Sequence, residues 1–544
     1  MFIEWNVLCW DMDRHVSRRS FLRLTGALGI GAAGLGTQVT SVEAASDRYI
    51  VDTSTAEDSI WRDNVEIVHD LTEIDIAIVR GSEPALASTE YSRDFEMEIE
   101  PPITVDDNHT ASGDARSAYQ WDKQAQNAFS LHESGYTGDG AKVAIIDTGI
   151  DPDHPDLEPN LNTEDSENMT EDDGDYSDSG DHGTHVAGIA AAADNGTGIV
   201  GVAPDAEIVA FRVFGQEGGA SFGDFTAAMY RAAEVGCDAA NLSLGAYPLP
   251  PSLNAQVLKE SIDRAVQFGQ EQGCVTVISA GNSDSNLDKD GDTLNLPTEA
   301  DGTVRVSATG PSGFTLGEPV SGADLPSHAP SFYTNYGEEA ITVSAAGGNV
   351  TYPLSSTYFN DLVYSTVPGS WGWKAGTSMA APQVAGLVAL VKAENPNASP
   401  DRVSYHIERT ADQIVNPDYS AAGYFQPDLE PTIGNGFLED AYDSETYRGS
   451  GHIDVEQAAT EAIPFPQPLE VRDHTIAPRD PDGDGRFEDV NGDGEVDMDD
   501  VRALFALFMS GASLSPAEEG ALDFDDDGSF DQFDVQELLD QVRA

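Results

Sequence analysis

Three short segments place an acid, a base and a hydroxyl along the chain in the order Asp147-Thr148-Gly149, His182-Gly183-Thr184-His185-Val186-Ala187-Gly188 and Gly376-Thr377-Ser378-Met379-Ala380-Ala381-Pro382. A serine hydroxyl is protonated at neutral pH. It attacks a carbonyl only when an adjacent base takes its proton and a third group orients that base. Gathered from distant parts of one chain, these residue types supply nucleophilic acyl transfer. His185 shares the second segment, but one helical turn on it is expected to pack or hydrogen-bond in the core. A lone Asp at a strand end is often a turn or helix cap; here the combined pattern favours chemistry.

Elements must bring these residues together. The run Lys142 to Ile146 ends at Asp147, as expected of a parallel strand covered on both faces. Two further runs, Ala239 to Leu244 and Val275 to Ser279, end in Ser243-Leu244-Gly245 and Ala280-Gly281-Asn282. Each delivers its polar residues at a strand's C-terminal end, the edge where open α/β sheets bind ligands. His182 stands before a small-residue helix over Val186 to Ala193. Ser378 opens a helix over Met379 to Ala393, with only the early Pro382 inside it. A helix start offers unpaired N–H groups and a positive dipole end to developing negative charge. The expected fold class is α/β, a parallel sheet flanked by helices.

With Gly201-Val202-Ala203-Pro204 also in place, these motifs identify the stretch from about Gln120 to Ala462 as resembling the subtilisin family of serine endopeptidases, most closely its secreted haloarchaeal members, the halolysins. The resemblance implies that Asp147 orients His182, that His182 takes the proton from Ser378 and returns it to the leaving amine, and that Ser378 forms an acyl-enzyme. It makes Asn282 the side-chain donor of the oxyanion hole, with the Ser378 N–H as second donor. It assigns substrate contact to Ser243, Leu244, Gly245, Ala280 and Gly281, and calcium ligation to Asp156 and to Asn195 in the loop Asp194 to Ile199. Gln383 departs from the family's histidine, and Ala246 from a frequent glycine.

Composition sets the surroundings. Of 544 residues, 96 are acidic and 27 basic, a formal charge of -69. Nucleic acid is excluded as a partner on that balance. At ~0.01 M salt the Debye length is roughly 30 Å and such a surface repels itself, whereas at molar salt it is roughly 3 Å. A salt-requiring protein is therefore expected. Ser17-Arg18-Arg19-Ser20-Phe21-Leu22-Arg23 precedes a Gly/Ala/Leu-rich stretch and the small residues Val42-Glu43-Ala44, resembling a twin-arginine export signal. An extracellular protein without a stable membrane span follows. Cys237 and Cys274 are left after the signal, and the sequence allows either one bridge or two buried thiols.

The expected organisation is a signal over 1–45, an inhibitory prosegment over 46–115, a catalytic domain over 116–462, a linker over 463–479 and a calcium-binding module over 480–544. Alternating stretches at Val65 to Val68, Ile74 to Val79 and Phe95 to Glu100 predict prosegment strands. The module carries two loops with oxygen residues at positions 1, 3, 5, 9 and 12 and glycine at 6, the logic of a calcium loop. One uses Asp489, Asn491, Asp493, Asp497 and Asp500; the other uses Asp523, Asp525, Asp527, Asp531 and Asp534. Helices are expected over Val501 to Met509 and Val535 to Val542. Asp at position 12 makes the loops resemble dockerin repeats, with a partial third at Asp480-Pro481-Asp482-Gly483-Asp484. That resemblance implies a cohesin-like surface partner, against the plainer alternative of a stabilising cap.

The first reading is a secreted, calcium-stabilised serine endopeptidase acting on protein or peptide substrates, with structural calcium and no organic cofactor. Two alternatives stand beside it: a processing protease for specific partners, and a calcium-dependent surface adhesion protein with a residual protease-like domain. The acidic stretch Asp172 to Asp181 is read as solvated surface.

Overall fold

The computed structural model describes residues 39–55, 59–99, 118–216, 219–249, 256–289, 294–316, 318–323, 326–349, 358–412, 414, 444–471, 474–481, 485–525 and 528–543. The twin-arginine stretch, Cys9 and Asp527 lie outside them, as do Asp482, Gly483 and Asp484 of the partial loop. Among the described residues no helix is long and apolar enough to cross a membrane.

In chain order the strands are β1 (Val39–Asp52), β2 (Glu66–Leu71), β3 (Ile76–Arg80), β4 (Glu90–Ile99), β5 (Lys142–Asp147), β6 (Glu167–Asn168), β7 (Glu207–Arg212), β8 (Gly219–Ser221), β9 (Ala239–Leu242), β10 (Ala246–Leu249), β11 (Val275–Ser279), β12 (Leu294–Leu296), β13 (Val304–Thr309), β14 (Val343–Ala346), β15 (Val363–Val367), β16 (Ser370–Lys374), β17 (Leu469–Val471) and β18 (His474–Ile476). A seven-stranded sheet in the order β14-β13-β11-β9-β5-β7-β6 forms the centre, its neighbours parallel throughout. Alternation along β5 divides its neighbours. Val143 and Ile145 enter a core with the buried helix Thr377–Glu394, while Ala144 and Ile146 enter one with the helices Phe222–Glu234 and Gln256–Gln272. The serine helix is apolar all round because every residue from Thr377 to Lys392 is buried.

The N-terminal strands form a second sheet, β2-β3-β1-β4, whose order continues into β8 of the central domain. Strand β4 pairs antiparallel with β8 in the register Glu96 with Ser221, Met97 with Ala220 and Glu98 with Gly219. One face, with Ile50, Ile76, Ile78 and Phe95, shares a core with the two flanking helices. The other gathers Tyr49, Val51, Ala77, Val79 and Leu86. The predicted strands at Val65, Ile74 and Phe95 appear as β2, β3 and β4. Strand β1 was not predicted, and it begins at Val39, inside the stretch assigned to the signal.

The stretch expected as a linker is not an extended tether. It contains the β17–β18 hairpin, and Phe465 is fully buried in one core with Phe487, Val490, Leu504 and Leu538 of the C-terminal loops and helices. That body is seated on the helix Pro400–Arg409. Arg402 Nη1 donates to Pro478 O at 2.6 Å, and Tyr405 Oη to Asp480 O at 2.8 Å. Apolar side chains at 465, 471 and 476 are what convert a Pro-rich connector into packed structure. Cys237 and Cys274 are both buried free thiols.

Candidate active site

Strand β5 ends on Asp147, which is wholly buried and receives the Thr148 N–H at 2.7 Å. His182 opens the helix His182–Ala191, its Nδ1 lying 2.8 and 3.0 Å from the two Asp147 oxygens. The approach depends on Gly183: a Cβ there would stand 2.2 Å from Gly149 O, so a side chain would push the histidine helix off the strand end. His182 Nε2 is buried and has no hydrogen-bond partner among the described residues. Ser378 lies in the first turn of the serine helix and is 1% exposed.

The third link of the expected triad is not closed. Ser378 Oγ donates to Ser243 O at 3.2 Å rather than to His182. Rotation about a single side-chain bond redirects a serine hydroxyl, and nucleophile–base hydrogen bonds are often loose until substrate is present.

Asn282 is set for its role by its own oxygen. Asn282 Oδ1 accepts from Thr377 N at 2.8 Å and from Thr377 Oγ1 at 3.1 Å, which fixes the amide against the start of the serine helix. A point one bond outside Gly376 Cα lies 3.6 Å from Ser378 N and 3.7 Å from Asn282 Nδ2. Asn282 Oδ1 is 3.6 Å from the same point, so the Asn282 amide and the Ser378 N–H lie on one side of Gly376.

The expected substrate-contacting residues divide. Ser243 is buried; its hydroxyl donates to Ser378 O at 2.9 Å and accepts from Asn241 Nδ2 at 3.0 Å, so its side chain holds the nucleophile's backbone. Leu244 is buried in the core, and Gly245 follows it into β10. Ala280 and Gly281 spend their backbone groups inside the protein. Ala280 N donates to Val306 O and Gly281 N to Thr377 Oγ1, while Asn335 donates to both carbonyls. Their backbone groups therefore help to hold the segment that carries Asn282.

The acidic stretch is also not plain surface. Asp178 folds over the site, accepting from Thr148 Oγ1 at 2.7 Å, Gly180 N at 2.9 Å and Thr184 N at 3.0 Å, and burial pushes its carboxyl above the ordinary range. Asp172 is gripped by Arg212, whose hydrogen bonds hold it below that range. His185 is buried as expected, Nε2 at 3.2 Å from Gly372 O. Gln383, the departure from the family histidine, receives Lys123 Nζ on Oε1 at 2.8 Å, and its Nε2 donates to Asp122 Oδ2 at 2.8 Å. Short motifs gave no sign of this network, because its members stand 260 residues apart.

Two regions offer hard oxygen donors. Asp156 and Asn195 converge on Thr197, whose Oγ1 lies 3.4 Å from Asp156 Oδ1 and 2.5 Å from Asn195 Oδ1. Asp156 Oδ2 is taken by Ile199 N at 2.9 Å and Trp371 Nε1 at 2.7 Å. The turn needs Gly198, whose φ is +70° and whose Cβ would overlap Asp156 Oδ2. This buried carboxylate with a neighbouring amide oxygen fits calcium. In the C-terminal module, Asp523, Asp525 and Asp534 bring carboxylate oxygens within 4.8 Å of one another. Burial, with Asp525 adding to it, raises Asp534, a cost that a divalent cation removes. In the other loop Asp489 accepts Gly492 N, Asp493 N and Gly494 N, while Asp500 accepts Asn491 N and Asp497 N. Asn491 Oδ1 takes Asp493 N, and Asp497 Oδ1 and Asp531 Oδ1 each take the N–H two residues on. Both loops fit calcium by donor type, each wrapping on its position-12 aspartate.

The subtilase family profile matches residues 138–446, and that of the dockerin type I domain residues 487–542. The M-protease of Shouchella clausii (strain KSM-K16) is 29% identical over 408 residues, which cover 73% of this chain and 94% of that protein. Subtilisin Savinase of Lederbergia lenta is 32% identical over 304 residues, covering 56% and 95%. Among solved structures, the epidermin leader peptide processing serine protease of Staphylococcus aureus aligns with a TM-score of 0.57 at 22% identity, over 76% of this chain and 99% of that one. Fervidolysin from Fervidobacterium pennivorans, a keratinolytic enzyme related to subtilisin, gives 0.56 at 22% identity, over 80% and 64%. These last two are likenesses of fold. The chain belongs to the subtilase family, as a subtilisin-like serine endopeptidase that carries a dockerin type I domain.

Proposed function

We propose that this enzyme is exported by the twin-arginine route and hydrolyses extracellular proteins or peptides at high salt through Asp147, His182 and Ser378. The observation that carries the reading is the Asp147–His182 pair, which leaves a buried Nε2 without a hydrogen-bond partner among the described residues. Substrate turns the Ser378 hydroxyl from Ser243 O to that nitrogen. Ser378 Oγ then bonds the scissile carbonyl carbon as His182 takes its proton, and Asp147 holds the imidazolium that forms. Asn282 Nδ2 and Ser378 N receive the oxyanion. His182 returns the proton to the leaving amine, and water releases the acyl-enzyme by the reverse path.

The N-terminal sheet serves as an inhibitory prosegment, a reading supported by its pairing through β4 with β8 and by its shared core with the catalytic domain. Calcium held by Asp156 and Asn195, and by the two C-terminal loops, stabilises loops and adds no chemical step. The dockerin loops retain the enzyme on a cohesin-like partner. Casein cleavage in molar salt that a serine-directed phosphonate abolishes supports the protease reading, and Ser378→Ala should accumulate an unprocessed chain. A Ser378→Ala protein that still cleaves casein, or is trimmed like wild type, overturns the assignment.

A further inference from the structure

The hairpin β15–β16 braces the histidine helix along its length. Ser365 Oγ donates to His185 O at 2.7 Å and Thr366 Oγ1 to Thr184 O at 2.6 Å. The last residue of β16, Lys374, is fully buried, and its Nζ stands 2.8 Å from Asp181 Oδ2. Asp181 immediately precedes His182, and Lys374 lies four residues before Ser378. One ion pair thus joins the segment that carries the nucleophile to the residue that opens the helix of the base.

Burying an ammonium is costly, and burial pulls Lys374 below the ordinary lysine value while Asp181, Asp178 and Asp147 act in the opposite sense. Three carboxylates therefore share the field of this one cation. Asp147 bonds His182, Asp181 is its chain neighbour, and Asp178 is fastened to Thr148 and Thr184. Two further titratable groups among the described residues bear on this cluster. Arg212, in register with Asp147, is engaged by Asp172 and by Asp175 O, and His185 is lowered by burial first and by Lys374 next.

We propose that Lys374 is a positioning residue of the proteolytic site, whose charge offsets the carboxylates around His182 and keeps the imidazole neutral, hence able to accept the Ser378 proton, to lower pH. Uncompensated negative charge would stabilise imidazolium, which cannot act as a base. The inference rests on the base role proposed for His182.

The test is the acid limb of the kcat/KM profile, measured at the lowest salt at which the enzyme stays folded. Lys374→Met should move that limb up by about half a pH unit or more, whereas Lys374→Arg should leave it near wild type. Asp181→Asn should move it down, and the double variant should bring it back toward wild type. A limb that stays in place while kcat falls would make Lys374 a packing residue and overturn the proposal. Should Lys374→Met fail to fold, Lys374→Gln takes its place: an upward shift supports the proposal and an unmoved limb overturns it. His182→Ala separates the two claims, since retained activity there sinks the base assignment itself, whereas an inactive His182→Ala with an unmoved Lys374→Met limb sinks only the role of Lys374.

Discussion

At the scale of single residues, the site is a set of donors and acceptors whose partners are mostly spoken for. Asn282, the proposed oxyanion donor, is held by Thr377 through its oxygen. Asn282→Ala should lower kcat roughly 100- to 1000-fold with a small effect on KM, a magnitude carried over from the equivalent asparagine of subtilisin and checked by steady-state hydrolysis of a peptide anilide. The meeting of Asp147 with His182 was legible because acyl transfer demands particular residue types in short motifs at strand and helix ends. The residues that aim them were not. Thr377 on Asn282, Asp178 on Thr148 and Lys374 on Asp181 are pairings across loops or between distant segments, which no local spacing announces. For the same reason the backbone hydrogen bonds of Ala280 and Gly281 could not be read, since a motif does not show which way backbone groups point.

At the scale of elements, the two ends of the chain are held by different means. The N-terminal sheet is locked by apolar packing and by Arg48, which pairs with Asp94 at 3.0 Å, Asp224 at 2.6 Å and Glu171 at 3.1 Å. His69 adds a contact to Asp224 at 3.0 Å, and Arg80 one to Glu171. Burial raises Asp94 from 3.8 to about 6 in spite of Arg48. An acid whose value is higher in the docked form favours docking below its free value and loses that contribution as pH climbs through the docked one. The sheet should therefore sit more firmly at pH 4 than at pH 7 on this account, and Asp94→Asn should flatten that difference in hydrogen exchange of β4 in the Ser378→Ala chain. At the other end, Phe465→Ala should destabilise the C-terminal body by about 3–5 kcal/mol, read as a lower unfolding midpoint of its calcium-loaded form. Strands β5 and β11 and the serine helix were readable from their apolar runs. Strand β1 and the β17–β18 hairpin were not, because each is stabilised mainly by partners far along the chain: β1 by β3 and β4, and Phe465 by Phe487 and Leu504.

At the scale of the whole molecule, the charge balance makes a prediction about stability. Ninety-six acidic groups against 27 basic ones leave a surface whose self-repulsion only salt can screen, so the unfolding midpoint should rise steadily from low to molar potassium chloride. An unchanged midpoint would remove the proposed salt requirement, although the fold and the Asp147–His182 pair would stand. The α/β class was written in alternating apolar runs and motif order, whereas the seating of the terminal bodies depends on surfaces that exist only once the chain has folded. Arg402 and Tyr405 anchor the chain on either side of Arg479, at the junction between the catalytic body and the C-terminal one with its loops. Tension applied through those loops would arrive at the helix Pro400–Arg409 directly, and the cleft would keep a fixed bearing toward whatever the loops grip.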